Sequence, residues 1–191
     1  LVDEYGKTDA DGLKHFDEIR VELARELKKN AKEREELSKA INDSSKLYES
    51  YRKILMSEEF GLTHVSRNDI IRYKLYCELK ATGYHTIYSN TYISPKDLFS
   101  GKFDIEHIIP QARLFDDSFS NKTLETRDVN LKKGNKTAYD FVKEEYGEEG
   151  LKDYLKRVEY LFKEKVREND DKKDAYISKS KYDKLLMSES D

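Results

Sequence analysis

Phe103-Asp104-Ile105-Glu106-His107-Ile108-Ile109-Pro110 is the stretch from which the fold follows. Its β-branched run favours extended backbone, and Pro110 cannot donate to a strand ladder, so a strand is predicted over Phe103–Ile109. Gln111–Ser120 is polar and carries Asp116 and Asp117, so it reads as a loop. Lys122–Glu125 predicts a second strand. Thr126 or Asp128 then caps a helical turn that carries Asn130 and stops at Gly134–Asn135. Strand, loop, strand and helix would fold Asn130 back over the first strand.

The flanks are helical in character. A Gly/Asp turn follows Leu1–Gly12, and Glu18–Leu23 alternates polar and apolar residues, which predicts a short strand. Ala24 to Tyr51 is dense in Glu, Lys, Arg, Ala and Leu. Its pairs Lys29–Glu33, Lys32–Glu36 and Glu35–Lys39 support a long, solvated connecting helix. Ser66 or Asn68 caps a helix over Asp69–Ala81, ended by Thr82–Gly83. Thr86–Ile93 reads as a hairpin turning at Ser89–Asn90, and Ser94–Leu98 as a short helix with Pro95 in its first turn. Further helices are predicted over Thr137–Tyr146, Leu151–Val166 and Ala175–Met187, with the charged run Arg167–Asp174 as an exposed connection. The fold class is therefore α+β and mostly helical.

Bulk properties narrow the function classes. The 191 residues are 39% charged and 37% hydrophobic, with only 2 Pro and 8 Gly, which favours long helices over a sandwich of short strands. The single cysteine, Cys77, excludes an internal disulfide and an all-cysteine zinc site, and fits a reducing compartment. No apolar run approaches a membrane span. The chain begins at Leu1 and shows no targeting segment there, so it reads as a piece of something larger. The net charge of −3 is unusual for an autonomous nucleic-acid binder, because phosphate contacts dominate such affinity. If the chain acts on DNA or RNA, something else delivers the substrate.

The order acidic residue–His, Asn, Asn matches what a one-metal nuclease needs. Phosphodiester cleavage requires an activated water, charge neutralisation at the phosphate and support for the leaving oxygen. Mg²⁺ accepts one or two protein oxygens and keeps several waters. Glu106 offers a carboxylate oxygen and Asn130 an amide oxygen. A neutral His107 can take a proton from water, its reference pKa of about 6.5 being close to working pH. Asn121 would clamp the connection between the strands. Adjacent strand residues face opposite sides, so Glu106 and His107 share a site only where the strand ends or twists. Asp104, on the face of Glu106, is the competing ligand. Taken singly, each has a structural reading: a His–Glu neighbour pair is commonly a hydrogen-bonded surface pair, and an Asn after a polar turn a cap.

The residues from Asp104 to Val142 (Asp-Ile-Glu-His-Ile-Ile-Pro-Gln, Phe-Asp-Asp-Ser-Phe-Ser-Asn-Lys, Asn-Leu-Lys-Lys-Gly-Asn-Lys-Thr-Ala-Tyr-Asp-Phe-Val) closely resemble the HNH nuclease domain of type II CRISPR RNA-guided DNA endonucleases, most of all the compact subtype II-C effectors. Asp17–Glu26 resembles the second RuvC segment that precedes the HNH insertion in those enzymes. The resemblance implies a ββα-metal core with surrounding helices. It implies that residues 1–52 are a partial RuvC segment and linker helix, 53–187 the HNH domain, and 188–191 the start of the linker to a third RuvC segment.

By resemblance His107 is the general base, and Glu106 and Asn130 hold Mg²⁺, for which Mn²⁺ would substitute. Glu22 would be a metal ligand of a second, incomplete centre. The family more often has Asp at the position of Glu106. Lys133 falls where the family places a basic residue near the scissile phosphate; its plainer reading is a solvated lysine on a helix end. The implied partners are target DNA and guide RNA, met through a full-length effector in the bacterial cytoplasm, with no membrane. The isolated chain is expected to be a monomer of weak DNA affinity, because guide pairing reads sequence in such effectors. Two other readings stay open: a catalytically silent HNH-like positioning module, and a free-standing HNH endonuclease.

Overall fold

The computed structural model describes residues 7, 8, 10, 12, 14, 15, 31–167 and 177–190. Its contacts divide into two units, residues 1–44 and 45–191. In the first, β1 (Lys7–Thr8) and β2 (Lys14–His15) pair antiparallel. The strand predicted over Glu18–Leu23, and Glu22 with it, lies outside the described residues.

Helix α1 covers Ala31–Leu55, running on past the expected end at Tyr51. The cause is local packing. Tyr51 and Leu55, one turn apart, are buried with Val65 and Ile70, and this cluster holds the last turn in register. Helix α2 (Arg67–Glu78) starts with a capping box. Asp69 N donates to Ser66 Oγ at 3.2 Å, and Ser66 N donates back to Asp69 Oδ2 at 2.8 Å. A 3₁₀ turn, Leu79–Thr82, extends it until Gly83 takes a left-handed φ of 65°.

Two predicted elements differ in form. Thr86–Ile93 is a reversal without paired strands; a single bridge joins His85 to Tyr92, and Asn90 adopts a φ of 55°. Backbone bonds from Thr86 N to Thr91 O and from Ile93 N to Tyr84 O, each at 2.9 Å, join its arms, and side chains hold its tip. Thr86 Oγ1 and Ser89 Oγ lie 2.8 Å apart, and Glu125 accepts hydrogen bonds from Tyr88 N, Ser89 N and Ser89 Oγ. Ser94–Leu98 is a series of turns, capped by Ser94 Oγ on Asp97 N at 3.1 Å.

Strand β3 (Phe103–His107) pairs antiparallel with β4 (Lys122–Thr126), with Glu106 opposite Thr123 and His107 opposite Lys122. β3 is shorter than predicted because Ile108 and Ile109 pair elsewhere. Ile108 N donates to Asn121 O, Ile108 O accepts from Ala138 N, and Ile109 N donates to the Asn121 side chain. Helix α3 (Arg127–Lys133) follows β4 directly, capped by Thr126 Oγ1 on Val129 N. The ββα order is thus set by two strand ends and one threonine.

The two helices predicted after Thr137 are both present as the two arms of α4 (Ala138–Arg167), separated at Gly147, whose φ of 68° and ψ of −170° are not helical. Its inner face contributes Phe141, Val142, Leu151, Tyr154, Val158 and Leu161 to the core beneath β3 and β4, where Leu98, Ile108 and Leu124 are also buried. Burial of each such side chain contributes about 1.5–3 kcal/mol. Helix α5 (Lys179–Leu186) is shorter than the predicted Ala175–Met187. It packs on α4, and Tyr154 Oη donates to Leu185 O at 2.7 Å. The described residues are mostly helical with small antiparallel strand pairs, an α+β fold.

Candidate active site

The pleat of β3 sorts its polar side chains. Asp104 and Glu106 share one face and His107 takes the other. Because β3 stops at His107 and the chain turns through Ile108–Pro110, both Glu106 and His107 reach one open cleft of about 240 Å³. The cleft lies between Glu106–His107, Pro110–Ala112 and Lys133–Asn135.

Lys133 does not hang in solvent from the end of α3, as its plainer reading has it. It is 1% exposed, and its Nζ lies 2.6 Å from Glu106 Oε1 and donates to His107 O at 2.9 Å. The Lys side chain reaches inward because α3 packs against both strands. Burial raises the Glu106 carboxyl and lowers the Lys133 ammonium, and each is pulled back by the other's charge. The pair is charge-balanced and closes the floor of the cleft.

His107 points to the connection between the strands. Its Nε2 lies 2.9 Å from Asp117 Oδ1, and Lys122 Nζ, opposite it in the ladder, is 2.8 Å from the same oxygen. Gln111 Nε2 is 3.3 Å from both His107 Nε2 and Asp117 Oδ1. Hydrogen bonds first from Lys122 and then from His107 hold the Asp117 carboxyl below its ordinary value.

Asn121 is fully buried and uses its whole amide. Oδ1 accepts from Ile109 N, and Nδ2 donates to Ile109 O and Asp116 O, each at 2.9 Å. These are the contacts of a loop clamp. Asn130, half-buried on α3, sits against Asp104 rather than Glu106, with Nδ2 3.4 Å from Asp104 Oδ2. Arg127 Nε lies 3.5 Å from the same carboxylate oxygen.

Among the described residues no three His, Cys, Asp or Glu side chains converge. The oxygen donors here are Asp104 and Glu106 on one strand face and the Asn130 amide, which meets Asp104 through Nδ2; of the three only Glu106 lines the cleft. Such a set suits a hard divalent cation that keeps most of its waters, and not a thiolate- or imidazole-seeking metal. The Lys133 ammonium stands beside Glu106 and balances its charge. Oxygens of this kind are the donors that Mg²⁺ takes, and Lys133 holds the position of a cation beside Glu106.

Sequence reasoning missed two acidic residues. Asp117 was legible only as one of a pair in a loop, since nothing in the sequence says that the loop returns to His107. Glu125 is fully buried and anchors the Tyr88–Ser89 backbone. Its register opposite Asp104 was available from the strand pairing, but its partners were not.

Comparison with known proteins bears on the same segment. Residues 86–139 match the HNH endonuclease family. The CRISPR-associated endonuclease Cas9 of Staphylococcus aureus is 33% identical over 102 residues, which is 52% of this chain and 9% of that protein. The type II-C Cas9 enzyme from Actinomyces naeslundii superposes over 85% of this chain and 17% of its own, with a TM-score of 0.58 and 19% identity. Streptococcus thermophilus Cas9 in complex with the GGAA PAM superposes over 88% of this chain and 16% of its own, at 0.54 and 22%. These two structures show likeness of fold. The chain spans less than a fifth of each relative.

Proposed function

We propose, from the premise that this chain carries an HNH endonuclease domain of the Cas9 kind, that it hydrolyses a phosphodiester in the guide-RNA-complementary strand of target DNA. The observation that carries this reading is the meeting of His107, Glu106 and Lys133 at one cleft within the matched segment. His107, one quarter exposed at the rim, takes a proton from an attacking water. The water oxygen then bonds to phosphorus, the bond to the leaving oxygen breaks, and that oxygen is protonated from solvent. Lys133 fixes the Glu106 carboxylate and the His107 carbonyl at the cleft floor. Asn121 holds the loop that faces the ring. Glu106 and Asn130, with Asp104 beside Asn130, would hold Mg²⁺, with Mn²⁺ as substitute; the ion neutralises phosphate charge when bound.

The same reading assigns residues 1–52 to a partial RuvC segment and linker, with Glu22 a ligand of that second centre, 53–187 to the HNH domain, and 188–191 to a further linker. It places the protein in the bacterial cytoplasm, with target DNA and guide RNA met through a larger effector. The test is His107→Ala in a guide-loaded effector that contains this domain. Cutting of the guide-paired strand should be lost while the opposite strand is still cut. Loss of neither cut sinks the assignment.

A silent positioning module is the second reading, and the Lys133 ammonium on Glu106 favours it. Titration of the chain with Mg²⁺ or Mn²⁺ separates the two. NMR shifts or broadening at Glu106 and Asn130 support the nuclease, and no change at any metal level supports the silent module.

A further inference from the structure

We infer that Asp117 is a positioning residue for His107: its carboxylate accepts a hydrogen bond from Nε2–H and leaves Nδ1 as the bare nitrogen that takes a proton from water. This rests on the nuclease reading for its use, but the contact stands on geometry alone. A carboxylate only accepts, so a ring nitrogen 2.9 Å from Asp117 Oδ1 is the one that carries hydrogen. The carboxylate is kept ionised from its other side, where Lys122 Nζ lies 2.8 Å from the same oxygen. Gln111 Nε2 lies as near to Asp117 Oδ1 as to the ring, so its amide hydrogen goes to the carboxylate, not to a nitrogen that already bears one.

The loop that presents Asp117 is fixed on both sides of it. Asp116 O accepts from Asn121 Nδ2, Asp116 Oδ1 accepts from Ser118 N at 2.8 Å, and the Asp116 carboxylate is paired with Lys184 of α5. Lys184 Nζ also donates to Ser120 Oγ at 2.8 Å. Ladder register completes the device, because His107 and Lys122 are cross-strand partners and reach the carboxylate from one face of the sheet. A second partner of this kind sets which nitrogen of an imidazole is free and stabilises the imidazolium that forms when that nitrogen takes a proton. Asp117 is 70% exposed, so its effect lies in orientation and not in fold stability.

The test has two arms. Long-range ¹H–¹⁵N correlation on the 191-residue chain above neutral pH should show His107 with Nε2 protonated and Nδ1 bare, and Asp117→Ala should broaden the Nε2–H resonance. In a guide-loaded effector, Asp117→Ala and Asp117→Asn should slow cutting of the guide-paired strand by about 10- to 100-fold, the range for side chains that orient a site histidine. Affinity for target DNA and cutting of the opposite strand should not change. A wild-type His107 with Nδ1 protonated, or both variants cutting at the wild-type rate, overturns the inference. If the wild-type domain cuts nothing, the nuclease reading fails by itself, and the tautomer arm still decides for or against the contact.

Discussion

Lys133 and Glu106 form a buried ion pair, as do Lys181 and Glu78. An ion pair out of water adds little net stability, yet removing one partner strands the other charge. Lys133→Met should therefore destabilise the domain by about 3–5 kcal/mol, and adding Glu106→Gln should recover much of that loss. Denaturant unfolding of the two variants measures both steps; a Lys133→Met chain that melts like wild type would show that Lys133 does not offset Glu106. Tyr88 poses the opposite case. Its ring is fully buried, and among the buried side-chain nitrogens and oxygens of the described residues its hydroxyl alone has no hydrogen-bond partner. Burial, and then the Glu106 carboxylate, push that hydroxyl well above its ordinary pKa, so it stays neutral and unsatisfied. An orphaned buried hydroxyl costs about 1–3 kcal/mol. Tyr88→Phe should accordingly melt no lower than wild type, and up to about 1 kcal/mol higher once lost packing is allowed for. A loss of stability in that variant would reveal a partner for the hydroxyl.

At the scale of elements, the kink in α4 decides how the core closes. Gly147 has a left-handed φ, and a Cβ there would meet nothing within 4 Å, so only backbone strain opposes a side chain. Gly150 is different. A Cβ there would lie 2.2 Å from Tyr146 Cβ, too near the backbone for a rotamer change to relieve it. Gly147→Ala should cost about 1–2 kcal/mol. Gly150→Ala should cost about 1–3 kcal/mol and also shift the NMR signals of Tyr146 and Phe141, whose rings lie edge to face 6.1 Å apart. Equal losses with no shift at Tyr146 would argue against the close approach. The kink also marks what the sequence conveyed. The periodicities of Thr137–Tyr146 and Leu151–Val166 are both present, but their joining is set by tertiary contact. Likewise β3, β4 and α3 were legible from β-branched runs and a capping threonine. The reversal over Thr86–Ile93 was legible, and backbone bonds from Thr86 N to Thr91 O and from Ile93 N to Tyr84 O close it, whereas the anchoring of its tip on Glu125, 36 residues on from Ser89, was not. Site residues followed the same division. His107, Glu106, Asn121 and Asn130 stood out by order and type, whereas Asp117 and the inward turn of Lys133 depend on loop return and helix docking.

At the scale of the whole molecule, charge placement sets both acid stability and affinity. Helix α5 is tied to the loop beneath His107 through Lys184 and Asp116, and the hydrogen bond from Lys184 is the largest cause holding the Asp116 carboxyl below its ordinary 3.8. A carboxyl lowered in the folded state contributes stability above its unfolded value and loses it as pH falls through the lowered one. Asp116→Asn should thus lower the melting temperature at pH 7, with the gap to wild type closing below about pH 4. A gap that persists in acid would assign the loss to something other than that ionisation. The same chain-wide balance governs substrate capture. Lys+Arg number 36 against 39 Asp+Glu, and basic side chains of the site are spent internally: Lys133 on Glu106, Lys122 on Asp117 and Lys184 on Asp116. Affinity for a duplex comes mostly from counterions released by lysines and arginines that meet phosphate. A chain whose basic groups are outnumbered by acidic ones should bind a short DNA duplex no better than about 10⁻⁴ M at physiological salt, the weak end of non-specific binding. Its affinity should change only shallowly with added salt. Fluorescence anisotropy of a labelled duplex across a salt series measures both. Submicromolar binding would mean that the 191 residues hold their own substrate, and that a guide-loaded effector is not needed to deliver the strand to His107.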